Sequence, residues 1–306
     1  MHRLETLVSV NPFPAEMQHA PEAGKGLLEK LGAALPVALT AIATAFAGLS
    51  SGEMSRAMYW RSAAAQDQAK ANDQWSLAAH KRDRSIMMQT TALQLRVAVG
   101  YTTATLPPTD PEKDPFGQKA RLWMEGKGPP PAKLPDIQKP GVQEVLDAIR
   151  TAQTEGEVLR RAKAVKRDDI DYELAAASIE TNRLDAEWDP VVKTMTAHIA
   201  TRPPGAEMTA LQASQMETEQ RRYRAEASLN QQIGYLYDVR VKVSTVESDR
   251  HRLRSENFFY AMLAGQAGAT LAALALARKR HSSLWLFAGV IGTVSVGFGA
   301  YVYLTM

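Results

Sequence analysis

The stretch LGAALPVALTAIATAFAGLSSG at 31–52 holds no charged residue, and it is as long as the ~20 residues a helix needs to cross the hydrocarbon core of a bilayer. Two further uncharged runs lie at the other end of the chain, FFYAMLAGQAGATLAALALA at 258–277 and SSLWLFAGVIGTVSVGFGAYVYLTM at 282–306. Between the first and second runs, 53–257 is charged throughout and cannot itself enter lipid. The mean hydropathy of −0.26 averages a polar insert with three apolar spans and describes neither.

The pattern predicts an all-α integral membrane protein with three transmembrane helices, a long antiparallel, coiled-coil-like helical stalk and a helical cap. Its expected parts are an N-terminal tail at 1–30, spans at 31–52, 258–277 and 282–306, and an extramembrane insert at 53–257. Few aromatics, 7% of residues, point to extended helices rather than a thick globular core. The absence of cysteine excludes disulfides, thiolate metal sites and a Cys nucleophile.

A pI near 9.0 suggests nucleic acid until the charge is located. The tail carries three Lys/Arg against four Glu, the insert thirty against twenty-nine Asp/Glu, and Arg278, Lys279 and Arg280 add three unopposed, giving the net +3. Because the insert is almost neutral it offers no basic face for DNA or RNA. The excess sits in the short loop between spans two and three, where it reads as a topology determinant.

With that loop in the cytoplasm, the insert lies on the far side of the membrane and the N-terminus inside. Arg56 and Arg61 after span one, and Arg250, Arg252 and Arg254 before span two, favour the opposite orientation by raw counting. The loop takes precedence because the positive-inside rule acts on short loops, whereas long segments cross largely regardless of charge. The tail does not resemble a cleavable signal peptide, since Glu5, Glu16, Glu22 and Glu29 precede the apolar run.

Within the insert, 53–103 has no proline and one glycine, 206–257 has no proline, and the two are nearly equal in length. At 1.5 Å per residue each makes an arm of roughly 75 Å. Arms of equal length, each continuous with a span, predict an antiparallel pair. A proline-rich extended connection is expected at 104–140 and a middle helical block at 141–200, bent near Pro190. In the second arm Leu229, Ile233, Leu236, Val239, Val243, Val246 and Leu253 are spaced as a coiled-coil seam. Exchange of Arg240, between Leu236 and Val243, is expected to be mild. The first arm is patchier, its apolar positions being Trp75, Ile86, Leu93 and Val97.

Asn72-Asp73-Gln74-Trp75, the Arg- and His-rich run at 247–254, Phe258, Ala261 and Gln266 in span two, and Leu284-Trp285-Leu286 after the basic turn resemble a family of bacterial membrane proteins known only as a domain of unknown function. The resemblance covers both ends of the chain but neither the connection nor the middle block. Ser76-Leu77-Ala78-Ala79 departs from it where members carry aromatics and Gln. It implies one span, a helical coiled region and two closing spans in a bacterial inner membrane, and it implies no activity.

No catalytic or cofactor motif is present. His2, His19, His80, His198, His251 and His281 show no i, i+4 pairing and begin no metalloprotease motif. The carboxylates Asp168, Asp169, Asp171 and Glu173 lack the glycine and ligand spacing of a calcium loop and read as a solvated face. Gly24-Lys25-Gly26 lacks the other elements of a phosphate-binding loop. No catalytic, metal or cofactor-binding residue is assigned.

The spans carry small residues four apart, in Thr44-xxx-Gly48, Ala264-xxx-Gly268, Gly265-xxx-Ala269, Ala288-xxx-Gly292 and Ser295-xxx-Gly299. Such pairs let helix backbones approach closely in lipid. Gly48, Gly265, Gln266, Gly268, Gly292 and Gly299 are therefore the expected packing and oligomerisation residues. Gln266, the one strongly polar side chain inside a span, is expected to hydrogen-bond to a neighbouring helix. These features suggest a non-enzymatic scaffold that forms a homo-oligomeric ring or cage, its partners being the bilayer, further copies and a protein at the cap. The alternatives are a transport accessory with a conducting axis and a membrane-tethered binding module.

Overall fold

The computed structural model describes residues 27–100, 102–108, 110–128, 131–278 and 283–306, with side-chain burial from 33 onward. The protein is all-α, and no strand occurs among the described residues. Seven helices are seen there: α1 (Leu27–Ala98), α2 (Pro115–Met124), α3 (Pro140–Arg150), α4 (Glu155–Ala162), α5 (Arg167–Ala200), α6 (Ala206–Ala277) and α7 (Leu284–Thr305). Three of them, α1, α6 and α7, are long and apolar enough to cross a membrane. The chain divides into two units, one of Met1–Leu49 with Asn257–Met306 and one of Ser50–Glu256.

In the Ser50–Glu256 unit α1 and α6 run antiparallel, as the matched arms require, and both helices are 72 residues long. Hydrogen bonds set the register. Ser248 Oγ donates to the Ala57 carbonyl at 2.9 Å, Ser85 Oγ to the Gln220 carbonyl at 3.2 Å, and Arg96 grips Glu217 through Nε and Nη2 at 3.0 and 3.1 Å. Of the apolar positions expected in α1, Trp75 meets α6 but Ile86, Leu93 and Val97 do not form the face toward it. That face is Ala57, Ala64, Ala71, Ala78, Ser85 and Ala92, every seventh residue and all buried, while Ile86, Leu93 and Val97 are more than half exposed. Counting from the Ser248–Ala57 bond brings Val241, Gly234 and Ala227 of α6 level with Ala64, Ala71 and Ala78. Trp75, half-buried, lies on the side chain-free surface of Gly234, where an added Cβ would meet its ring at 3.1 Å. The ring stacks edge-on with Tyr235 at 4.8 Å, and its Nε1 donates to Asp238 at 3.1 Å.

The seam read in α6 packs elsewhere than on α1. Leu229 and Ile233 join Leu184 and Trp188 of α5 and Trp123 of α2. Leu236, Val239 and Val243 join Val142, Val145 and Leu146 of α3, Val158 of α4 and Ile170 of α5. Each such side chain contributes about 1.5–3 kcal/mol on burial. Val246 is half-buried at the edge of this cluster, but Leu253 is 49% exposed and lies outside it; on the α1 side of α6 at this level the helices are joined by hydroxyls. There Ser50 Oγ donates to the Ser255 carbonyl at 2.9 Å and Ser255 Oγ to that of Ser50 at 2.8 Å.

The connection is not extended throughout. Asp114 accepts from the Gly117 amide at 2.8 Å, and Pro115 occupies the first helical turn, where its missing N–H costs nothing; together they start α2. Trp123 at its far end meets Trp188 at 4.6 Å. The segment after α2 is held by two carboxylates of α5, Glu180 accepting from the Lys133 amide at 2.7 Å and Glu173 from that of Asp136 at 2.9 Å. The middle block is three helices rather than one: α3 ends where Ala152 turns left-handed, φ 50°, and α5 continues unbroken through Pro190.

Candidate functional site

Within the unit of Met1–Leu49 and Asn257–Met306, α7 lies parallel to α1 and antiparallel to α6. Gly268 faces Leu39 and Gly292, with an added Cβ coming within 3.3 and 3.4 Å of their atoms. Gly265 faces Ala43 and Ser295, at 3.2 and 3.1 Å by the same measure. A Cβ at Gly292 would approach Leu39 Cδ2 to 2.7 Å, and one at Gly299 would run into the Phe46 ring. Four expected packing glycines thus join the chain's own helices, where absence of a side chain permits close backbone approach. Ser295 Oγ, fully buried, donates to the Ala261 carbonyl at 2.7 Å, and Phe46 stacks on Phe258 at 6.2 Å.

The remaining expected residues point outward. Nothing lies within 4 Å of a Cβ built at Gly48, and this glycine continues an exposed row of Ala34, Ala38, Ala41 and Ala45. Gly289 and Gly297 of α7 are equally open. With Leu35, Leu39, Gly292 and Thr293 they line an apolar groove of about 500 Å³. Gln266 is exposed, and its side chain makes no hydrogen bond among the described residues, so no helix within the chain supplies the expected partner. Phe259, Tyr260, Tyr301 and Tyr303 are exposed at the end where Asn257 Nδ2 meets Met306 Sδ at 3.2 Å; such a collar marks a membrane–water boundary. Arg278 is exposed just after α6, while Lys279 and Arg280 lie outside the described residues, as do His2, His19, His281 and Gly24-Lys25-Gly26.

In the Ser50–Glu256 unit several charged residues are buried. Glu53, 7% exposed, lies 2.6 Å from His251 Nδ1, 3.2 Å from Arg56 and 3.6 Å from Arg254. Asp67, 3% exposed, is paired with Arg240 at 3.2 Å and Arg167 at 3.9 Å. Arg240 also reaches Asp171 at 3.1 Å, an internal link that argues against the mild effect expected of its exchange. Of the acidic cluster, Asp168 and Asp169 are solvated, whereas Asp171 and Glu173 are structural, Glu173 also pairing with Lys139 at 3.0 Å. His80 is exposed and His198 half-buried.

Titration follows these contacts. Hydrogen bonds from Arg160 and Arg161 hold the Glu157 carboxyl at about 2, and the Arg183 hydrogen bond, aided by the Lys133 amide, keeps Glu180 below the ordinary carboxylate range. Burial raises Asp238 against the opposing Trp75 hydrogen bond. It raises Glu219 as well. No group of three or more His, Asp or Glu able to hold a metal ion occurs among the described residues. Glu180 and Asp238 join separate segments through these bonds, to Lys133 and Trp75, whereas Glu157 is braced within α4.

Sequence reasoning missed the alanine face of α1 and the buried pairs of Glu53 and Asp67. The seven-residue recurrence of small residues from 57 to 92 could have revealed the first. Nothing in a single sequence distinguishes Asp67 from a solvated aspartate.

The fold defines a multi-pass, all-α membrane protein. No family model, no curated protein and no solved structure matches the chain.

Proposed function

We propose that this protein is a non-enzymatic membrane scaffold that assembles with copies of itself into a ring or cage, its helical insert projecting from the bilayer. One observation carries the reading. After the chain's own three spans have used Gly265, Gly268, Gly292 and Gly299 on one another, the Gln266 amide remains outward with no hydrogen bond from a described residue, and a polar group in hydrocarbon calls for a partner on a further helix. The middle block, α3 to α5, is the surface available to a protein partner. The basic run Arg278-Lys279-Arg280 supports an orientation with the insert outside the cytoplasm, and the family resemblance suggests a bacterial inner membrane. Native mass measurement of the full chain in lipid nanodiscs, followed by imaging, tests the reading: one closed stoichiometry supports it, and a monomer refutes it.

A conducting oligomer is the second reading, favoured by one feature, the outward Gln266 amide at mid-span. Ion flux through reconstituted vesicles would decide for it.

A further inference from the structure

We infer that the subunit contact inside the membrane is the outer face of α6, with Gln266 of each copy hydrogen-bonding to Gln266 of its neighbour. The inference rests on the homo-oligomer reading and deepens it.

Phe259, Leu263, Gln266, Thr270, Ala273 and Ala277 are all exposed, and their spacings of 4, 3, 4, 3 and 4 trace one straight seam along the helix. The bundle turns its opposite side inward, through Ala261, Gly265, Gly268 and Ala272. Gln266 lies near the middle of the uncharged run 258–277. A primary amide there has two donor hydrogens and an acceptor oxygen with no water to receive them, and a polar group unsatisfied in hydrocarbon costs several kcal/mol. The Thr270 hydroxyl bonds to the Gln266 main-chain carbonyl at 2.9 Å, so it is already engaged. None of the described side chains of α1 or α7 bonds to the amide.

The identity of the partner follows from symmetry and chemistry. Copies inserted by one topology share one orientation, so their α6 helices run parallel about an axis normal to the membrane and place every Gln266 at one depth. An amide both donates and accepts, and it is satisfied by its own image. The rest of the seam, aromatic and Leu at one end and Ala at the other, meets its like at each level. A single free amide in a seam whose other polar group, the Thr270 hydroxyl, is engaged within its own helix also fixes register.

The chain contains no cysteine, so single-cysteine variants report without background. Leu263→Cys, Gln266→Cys and Thr270→Cys test the seam in the full chain, reconstituted in phosphatidylethanolamine–phosphatidylglycerol vesicles and treated with a membrane-permeant oxidant. Ala41→Cys on α1 and Val294→Cys on α7 serve as outward controls level with Gln266, as the Ala43–Gly265–Ser295 contact shows. Cross-linked dimers should form at 263, 266 and 270 and be absent at 41 and 294. Strongest cross-linking at 41 or 294 would overturn the α6 contact and leave self-assembly standing. An oligomer by mass with no cross-link at the seam would overturn it too, and a monomer by mass would remove both readings. Gln266→Leu should raise the monomer fraction about threefold to tenfold, with Gln266→Asn closer to the parent; unchanged assembly in Gln266→Leu would overturn the amide pairing.

Discussion

Within the Ser50–Glu256 unit, α6 is built differently on its two sides. Toward α1 it presents Ala227, Gly234, Val241, Ser248 and Ser255 against alanines spaced by seven. Toward α3–α5 it presents Leu229, Ile233, Leu236, Val239 and Val243. The first side buries little area per residue and obtains its specificity from closeness and polar pins, such as Trp75 on Asp238 and Ser248 on Ala57. The second side supplies most of the hydrophobic stabilisation, in proportion to the area it removes from water. A helix can therefore be held in register by small residues and stabilised by large ones at once.

The largest effect that would sharpen this contrast is expected at Leu236, fully buried between α6 and α3. Leu236→Asp buries an unpaired carboxylate and should cost about 4 kcal/mol or more in denaturant unfolding. A cost below about 1 kcal/mol would show that the large side chains are not the stabilising side.

Arg240→Gln comes next, at about 2–4 kcal/mol, since it strips Asp67 of its nearer partner and leaves Arg167 at 3.9 Å. A double cycle with Asp67→Asn should recover much of the loss, and additive losses would break the assigned link.

On the small-residue side, Ala71→Leu and Gly234→Leu should each cost about 1–3 kcal/mol by overpacking, the second by displacing the Trp75 ring. Leu93→Ala, on the exposed face, should change stability by under about 0.5 kcal/mol. The reverse order would return the seam to the large apolar residues of α1.

The smallest effect concerns pH. The Glu180 pKa lies below its ordinary 4.5 in the folded protein, so its stabilisation is complete above 4.5 and is lost as pH falls through the lower folded value. Amide exchange at Lys133, whose N–H Glu180 accepts, should accelerate below pH 4.5 beyond the intrinsic rate, and Glu180→Gln should abolish that acid-dependent step. Constant protection down to pH 2 would separate the clamp from the carboxylate.

What was legible in the sequence was whatever shows as a run or a break. Uncharged runs marked the three helices that are long and apolar enough to cross a membrane, and the proline-free stretches joined to them marked α1 and α6. The double role of alanine hid the contact between those helices: it is the best helix former and also a spacer for close packing, so Ala57 to Ala92 reads as mere propensity. Ile86, Leu93 and Val97 look like core and are exposed because the partner helix lies on the alanine side. In the spans, a small residue four from another marks a packing face without saying whose helix fills it. The chain's own helices fill Gly265, Gly268, Gly292 and Gly299, and leave Gly48 and Gln266 outward. Asp114 and Pro115 are a readable helix start, hidden among prolines that signal extended chain.

The pairing of α1 with α6 through small residues is tested most directly by disulfide trapping in the cysteine-free chain. Ala78→Cys with Ala227→Cys places two thiols at one level of the pair and should close an intramolecular disulfide under mild oxidation. Ala78→Cys with Gly234→Cys is displaced by one seven-residue step, about 10 Å along the helix, and should stay reduced. Closure of the displaced pair with failure of the level pair would contradict the register and the alanine seam with it.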